Sequence, residues 1–243
     1  MIKEGFSKMK IARLALPVLM IMLLGGCMYP SDELAKNQIP YKDQLEIVQA
    51  AVDSFQKDND GILPIKTKEA DTPIYEKYVI DFSKISPRYL QEPPGNAFEN
   101  GGIFQYVLID VETNPTVKLL DLRIADQIRE VKMRISANGY PPFKEVLAKN
   151  VYSLDFSKLG YKNPPYVVSP FTQHNLSFVM GPKGEIYVDY SSDLYQFLQK
   201  SSRHFKSGED IRSVLTDESM FVPAYSLPYT IDQETGEPVF MES

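Results

Sequence analysis

The sequence predicts an α+β fold made of two duplicated helix–hairpin units with antiparallel sheets, placed after an N-terminal signal peptide. Three observations support this prediction. The tetrapeptide Asp-Phe-Ser-Lys occurs twice, at 81–84 and at 155–158. Apolar residues at helical spacing precede each copy, and alternating strand patterns separated by turn residues follow each copy. The same order of elements in both halves indicates an internal duplication.

The first unit, expected over residues 41–121, begins with an amphipathic helix. Its apolar residues recur at the spacing of one helical face, and Asn59-Asp60-Gly61 ends it. After the turn at 93–96, alternating apolar residues predict a strand, and residues 117–120 predict the second strand of a hairpin. The helical face consists of Leu45, Val48, Val52 and Phe55, and the strand pattern consists of Phe104, Tyr106 and Leu108.

The second unit, expected over residues 122–201, repeats this order and ends in a further helix. Its first helix stops at Asn138-Gly139, and a hairpin follows with its turn at 181–184. The terminal helix is expected over 193–200, where the Asp193 carboxylate would accept the free N–H groups of the first turn. The first helix carries Ala125, Ile128, Val131 and Ile135, and the hairpin carries Leu176, Phe178, Met180, Ile186 and Val188.

Residues 202–243 are expected to form an acidic C-terminal extension with a short helix over 209–215. From residue 216 onward the chain has six acidic residues, no lysine, no arginine and three prolines, which prevent a regular helix. The same stretch carries aromatic and aliphatic residues. We therefore expect part of it to dock on the folded units as extended chain and its last residues to fray.

The first 26 residues have the organisation of a signal peptide, because a basic start is followed by an apolar run over 14–24. This run is short of the roughly 20 apolar residues of a membrane-spanning helix. The sequence Leu24-Gly25-Gly26-Cys27 resembles the lipobox of bacterial lipoproteins. The resemblance implies cleavage before Cys27, diacylation of its thiol and a polar tether over 27–40. A membrane-spanning anchor and a secretory signal with an incidental cysteine remain the alternatives.

The charge of the processed chain argues against nucleic acid as a partner. Removing residues 1–26, which carry a net charge of +3, leaves 217 residues with a formal net charge of −9. Such an acidic surface repels the phosphates of nucleic acids and of anionic lipids. Because Cys27 is the single cysteine and would be acylated, disulfides and thiolate metal sites are also excluded.

The repeated tetrapeptide supplies the candidate ligand-binding residues Asp81, Lys84, Asp155 and Lys158. If the duplication places both copies around one cleft, these charges would bind a small zwitterion or a divalent cation. Alternatively, each aspartate caps a single helical turn and each phenylalanine fills the core of its unit. The capping interpretation is favoured, because residues repeated after a duplication usually persist for folding.

No combination of residues indicates an enzyme, a cofactor or a metal site. The two histidines, His174 and His204, have no carboxylate or second histidine at ligand spacing. A Gly-x-Ser-x-Gly nucleophile elbow does not occur. The turns at 94–96 and 100–102 lack the glycine spacing and the following helix of a phosphate-binding loop.

Part of the first unit resembles the globular part of bacterial pseudopilins. In that family a helix is followed by a Gly-x-x-Pro-type loop, a short capped turn ending near Pro-x-Tyr-Leu, and a hairpin. The corresponding segments here are 52–55, 61–64 and 81–90. The resemblance implies a similar local topology. The chain lacks the prepilin peptidase site and the hydrophobic assembly helix of the family, so a pilus subunit is not expected.

As a whole, the sequence resembles the membrane lipoproteins of Bacillus-type bacteria, which implies a lipid anchor on the outer face of the cell membrane. We expect a non-enzymatic interaction or scaffold module that is attached to lipid through Cys27 and binds an envelope protein. The alternative is a substrate-binding component of an ABC transporter, a label that some chains of this kind carry. A typical binding protein has two lobes of alternating parallel strands and helices, whereas short helices and hairpins are predicted here.

Replacing Cys27 with alanine is expected to release the protein from the membrane. Two acyl chains hold a protein stably, because each buried methylene contributes about 0.8 kcal/mol and one chain alone binds reversibly. Cell fractionation, with a labelled fatty acid to follow acylation, measures the effect. Retention of the Cys27→Ala variant in the membrane at the wild-type level would contradict the anchor.

Overall fold

Helices and antiparallel strands alternate through the computed structural model, which describes residues 41–241. This arrangement confirms the predicted α+β class. The helices are α1 (Tyr41–Asp58), α2 (Ile74–Lys77), α3 (Phe82–Ile85), α4 (Leu122–Asn138), α5 (Ser191–Lys200) and α6 (Ser213–Glu218), with 3-10 turns at Phe98–Asn100 and Phe156–Leu159. The strands are β1 (Phe104–Ile109), β2 (Thr116–Asp121), β3 (Phe143–Ala148), β4 (Val151–Leu154), β5 (Val167–Val168), β6 (Asn175–Leu176), β7 (Phe178–Met180), β8 (Ile186–Val188), β9 (Tyr229–Ile231) and β10 (Pro238–Phe240).

The predicted N-terminal features are not part of this description. The signal peptide (1–26), the lipidation site Cys27 and the tether (27–40) lie outside the described residues. No helix between residues 41 and 241 is both long enough and apolar enough to cross a membrane.

The first half folds as a hairpin sheet covered by α1. Strands β1 and β2 pair in antiparallel register along their full length. Residues before β1 extend this sheet by single antiparallel bridges. Val79 pairs with Val107 of β1, and Ile65 pairs with Ile80. One face of this sheet packs against the apolar stripe of α1, as the helical spacing predicted.

The second half repeats this order in a four-stranded sheet, β3-β4-β7-β8. Strand β4 leads into the second Asp-Phe-Ser-Lys segment in the way that Val79-Ile80 leads into the first. Strands β7 and β8 form the hairpin that corresponds to β1 and β2. Helix α4 packs on this half through Ile124, Ile128 and Val131. Leu176, which was expected in the hairpin, lies instead in β6 and pairs with β5.

Helix α4 ends at the predicted glycine. Gly139 has a φ of 87°, a left-handed conformation that a residue without Cβ adopts readily. Its N–H donates to the carbonyls of Ile135 and Ser136 over 3.1 and 3.2 Å. These bonds satisfy carbonyls that would otherwise lack a partner at the helix end.

Residues 219–226, which we call the connecting segment, pair with both sheets and contain a turn at Ala224-Tyr225. Beside β2, the Leu119 N–H donates to the Met220 carbonyl over 2.8 Å, and the Val222 N–H donates to the Leu119 carbonyl over 3.0 Å. Beside β8, the Val188 N–H donates to the Tyr225 carbonyl over 2.9 Å. The bridges on both sides are parallel, so the connecting segment follows the outer strand of each hairpin.

The connecting segment also covers the second face of the first sheet. This contact explains why β1 is buried on both faces, although its sequence alternation predicted one buried face. The residues of this second layer are Tyr75, Val79, Val107, Ile109, Leu120, Val222 and Ala224.

The C-terminal extension is more fully integrated into the fold than its sequence predicted. The expected docking as extended chain is confirmed by the connecting segment, while the short helix begins at Ser213 and not at 209. The hairpin of β9 and β10 was not predicted. Apolar residues of the extension, including Ile211, Leu215 and Tyr229, share one core with α4.

The substitution Val222→Ala is expected to lower the free energy of unfolding by about 2 kcal/mol. It removes buried methyl groups, worth about 0.8 kcal/mol per carbon, and leaves a cavity. Val222 is 1% exposed, whereas Val239 in β10 is 39% exposed. The matched control Val239→Ala is therefore expected to cost less than about 0.5 kcal/mol. Urea unfolding measures both, and equal losses would contradict the packing role of the connecting segment.

Candidate functional site

The first Asp-Phe-Ser-Lys segment forms a capped helical turn. Asp81 precedes α3, and its carboxylate accepts hydrogen bonds from the Ser83 hydroxyl over 2.6 Å and from the Ser83 N–H over 3.2 Å. These bonds hold the pKa of the Asp81 carboxyl below its usual value, because they favour the charged form. Phe82 is buried, with its ring centroid 5.6 Å from that of Tyr106.

The second Asp-Phe-Ser-Lys segment repeats this geometry. Asp155 accepts hydrogen bonds from the Ser157 hydroxyl over 2.6 Å and from the Ser157 N–H over 3.2 Å. The pKa of the Asp155 carboxyl is lowered for the same reason. The second segment forms a 3-10 turn, whereas the first forms the α-helical turn α3. The aspartate cap is the same in both.

The contacts of each copy remain within its own half. Lys84 donates to the Ile65 carbonyl over 2.7 Å, and Lys158 forms an exposed ion pair with Asp155 at 3.6 Å. Between residues 41 and 241 no hydrogen bond or ion pair joins one copy to the other. The cap therefore accounts for both aspartates, and ligand binding by Asp81, Lys84, Asp155 and Lys158 stays a prediction.

A cavity of about 490 Å³ lies between the start of α4 and residues 161–168, a loop that ends in the short strand β5. Helix α4 contributes Arg123 and Gln127 to its lining, and the buried side chains of Ile124 and Val167 lie at its base. The volume falls in the range of sites for small ligands and short peptide segments. The loop wall consists of Tyr161, Asn163, Pro164, Pro165, Tyr166 and Val168.

Asp121 fixes the position of Arg123 at this cavity. Asp121 ends β2, is buried, and caps α4 by accepting the Arg123 N–H over 3.0 Å. Its carboxylate also accepts bonds from the guanidinium, from Nε over 2.9 and 3.1 Å and from Nη2 over 2.5 Å. These bonds raise the pKa of the Arg123 guanidinium, so the group stays charged.

Sequence reasoning missed this cavity because its walls come from two elements that are far apart along the chain. Two signals were available. Asp121-Leu122-Arg123 places opposite charges two residues apart where a strand meets a helix, and Pro164-Pro165-Tyr166 combines rigid and aromatic residues. Neither signal indicates by itself that the two segments face each other.

The outer strand of the second sheet presents apolar side chains to solvent. Strand β3 pairs with β4 on one side, and no strand within residues 41–241 pairs with its other edge. Phe143, Val146 and Leu147 are 50%, 64% and 44% exposed, and Tyr140 just before the strand is 61% exposed. We call these four residues the β3 surface. Exposed apolar side chains at a free strand edge are typical of protein-interaction sites.

The prediction that Asp193 caps a helix is wrong. Helix α5 begins earlier, at Ser191, whose N–H donates to Asp189 over 3.0 Å. The Asp193 carboxylate is buried and accepts hydrogen bonds from the hydroxyls of Ser169 and Thr172, each over 2.6 Å. Burial raises the pKa of the Asp193 carboxyl. Asp193 therefore fixes a distant loop, and local sequence reasoning could not foresee these partners.

The described histidines form no metal site. Nδ1 of His174 lies 3.1 Å from Nε2 of Gln196, and His204 is exposed. In the part of the chain that the structure describes, no group of three or more His, Cys, Asp or Glu residues is placed to hold a metal ion.

The substitution Asp81→Ala is expected to lower the free energy of unfolding by about 1 kcal/mol, whereas Asp81→Asn keeps most of the stability because its amide oxygen still accepts. Since the cap lowers the pKa of Asp81 below its usual 3.8, this stabilisation is present above 3.8 and is lost as the pH falls through the folded-state value. Urea unfolding at neutral and acidic pH measures both effects. Equal losses for the two variants would contradict the cap.

The first half of the chain is similar to a known family. Residues 41–121 match the YphF family N-terminal domain. The matched range runs from α1 to the end of β2 and covers about a third of the chain. No curated protein and no solved structure matches the chain.

Proposed function

We propose that this chain is a membrane-anchored extracytoplasmic lipoprotein that acts as a non-enzymatic interaction or scaffold module at the cell envelope. In this proposal Cys27 carries the lipid, and the folded part binds an envelope protein. The β3 surface is the observation that carries the proposal, because it combines a free strand edge with exposed apolar side chains.

The shape of β3 favours side-chain contacts over regular strand addition. The pairing of β3 with β4 shifts register between Phe143 and Val146 and again between Val146 and Ala148. Such irregularities bend an edge strand and discourage uncontrolled pairing with other strands. Lys144 and Glu145 lie in the same strand and add charge. The partner is therefore expected to bring a matching apolar surface to the β3 surface.

The structural use of the buried acids supports a non-enzymatic role. Asp121 caps α4 and holds Arg123, and Asp193 binds two hydroxyls of a loop. The partly buried Glu76 accepts the Tyr225 N–H over 2.6 Å. Burial raises the pKa of the Glu76 carboxyl, as in some catalytic acids, but this carboxyl is bonded to the connecting segment. Each of these acids therefore has a bonding partner inside the fold.

The length of the tether limits where a partner can be. The 14 residues over 27–40 reach at most about 50 Å, because an extended chain spans about 3.3–3.6 Å per residue. A lipid at Cys27 would keep the folded part within this distance of the bilayer. We therefore expect the partner to be a membrane protein or an envelope protein close to the outer face.

Photo-cross-linking in cells tests the proposal. A photoreactive amino acid at Val146 in the full-length lipoprotein is expected to capture one protein. The same group at Gln199, an exposed polar position on α5, is the matched control and is expected to leave that protein uncaptured. Adding Leu147→Asp to the Val146 probe should abolish capture without changing the melting temperature, because a carboxylate opposes apolar contact.

The same capture pattern from both positions would contradict an interaction at the β3 surface. If the captured protein is a transporter permease, the substrate-binding alternative replaces the scaffold role. Membrane release by Cys27→Ala, together with loss of the cross-link, would show that the anchor brings the two proteins together.

A further inference from the structure

Three exposed apolar residues lie at the end of the first half where α1 and β1 both begin. Tyr41, Phe98 and Ile103 are each at least 40% exposed. They lie outside the β3 surface, and the proposed function does not use them. Exposed apolar residues that lie together on a surface often mark a contact with another molecule.

Contacts around Phe104, the first residue of β1, bring these residues together. The ring centroids of Tyr41 and Phe104 are 5.1 Å apart. Ile103 directly precedes Phe104 in the chain, and Phe98 directly follows Ala97, which forms a bridge with Phe104. All three exposed residues are therefore held next to the start of β1. We call Tyr41, Phe98 and Ile103 the entry surface.

The turn that carries Phe98 is fixed by main-chain contacts. The Gly102 N–H donates to the Ala97 carbonyl over 2.9 Å, and the Gly101 N–H donates to the Phe98 carbonyl over 3.0 Å. A Cβ at Gly102 would overlap the Asn96 carbonyl, so the chain approaches itself too closely here for a larger residue. The backbone that presents Phe98 thus has little freedom to lose when the entry surface makes a contact.

The charges beside the entry surface are paired. Three basic residues each form an ion pair with an acidic residue: Lys42 with Glu46, Lys66 with Glu99, and Arg123 with Asp121. The chain without residues 1–26, in contrast, carries a formal net charge of −9. This end is therefore repelled less by the phosphates of a lipid surface than the chain as a whole.

The place of the entry surface in the chain favours a lipid bilayer as its partner. Tyr41 directly follows the proposed tether over 27–40, so a lipid at Cys27 would be 14 residues away. A tethered surface meets its target at a high effective concentration, and a weak apolar contact is then sufficient. Tyrosine is enriched at membrane–water interfaces, and phenylalanine and isoleucine add apolar area.

From these observations we propose that the entry surface rests on the outer face of the lipid bilayer, with Tyr41, Phe98 and Ile103 in the interfacial layer. This contact rests on the lipid anchor of the proposed function and adds a second surface to it. The entry surface contacts lipid, whereas the β3 surface binds protein.

Tryptophan fluorescence in vesicles tests the proposal, because the chain has no tryptophan of its own. The lipidated full-length protein with Phe98→Trp is placed in phosphatidylcholine vesicles that contain a brominated lipid, which quenches indole rings inside the bilayer. The matched control is Thr113→Trp, an exposed position in the turn between β1 and β2. This turn lies about 17 Å from Phe104, because β1 has six residues.

The Phe98→Trp variant is expected to be quenched about threefold more strongly than the control, because only the apolar end enters the interfacial layer. Adding Ile103→Asp to the Phe98→Trp variant should lower its quenching to the level of the control, since a carboxylate opposes entry into that layer. Both results together would support the contact.

Flotation of the vesicles separates this proposal from the proposed function. Protein that does not float with the vesicles would overturn the anchor and this contact with it. Protein that floats but is quenched equally at both positions would overturn the contact alone. A blue shift of the Phe98→Trp emission that grows with protein concentration and does not respond to brominated lipid would identify a second copy of this chain as the partner, and would also overturn the proposal.

Discussion

Main-chain pairing of the connecting segment with β2 and β8 determines how the two halves are arranged. Each hairpin would otherwise present an outer strand with unpaired N–H and carbonyl groups, which invite association with other chains. One segment binds both strands in parallel and also covers the second face of the first sheet. The edge of the second sheet that stays open is β3, and its exposed apolar residues are therefore accessible to a partner.

Two charged side chains fix the connecting segment at its ends. The Lys118 ammonium donates to the carbonyls of Thr216 and Ser219, each over 2.6 Å, and Glu76 accepts the N–H of Tyr225. Burial lowers the pKa of the Lys118 ammonium and raises the pKa of the Glu76 carboxyl, because each charged group is partly removed from water. Hydrogen bonds to charged groups are stronger than neutral ones and offset this loss. The register of the segment is therefore set by side chains as well as by main-chain bonds.

Local signals in the sequence predicted the parts of the fold that depend on local chemistry. Helical spacing identified α1 and α4, and the two capped turns follow from an aspartate two residues before a serine N–H. The pairing of the connecting segment was not predictable, because the period-2 pattern of β2 identifies buried residues but not the neighbouring strand. The partners of Asp193 lie more than 20 residues earlier in the chain, and the cavity joins α4 to a loop some 40 residues later. Such contacts depend on the completed fold.

The ion pair of Asp121 and Arg123 lies where the two halves of the molecule meet. Asp121 is the last residue of β2 and of the range that matches the YphF family N-terminal domain, whereas Arg123 lies in the first turn of α4. The Asp121 carboxylate is buried in the fold and accepts hydrogen bonds from both Nε and Nη2 of the guanidinium, so the end of β2 determines where the Arg123 charge lies at the cavity. The first half thus supports a charged donor at a cavity whose opposite wall belongs to the second half.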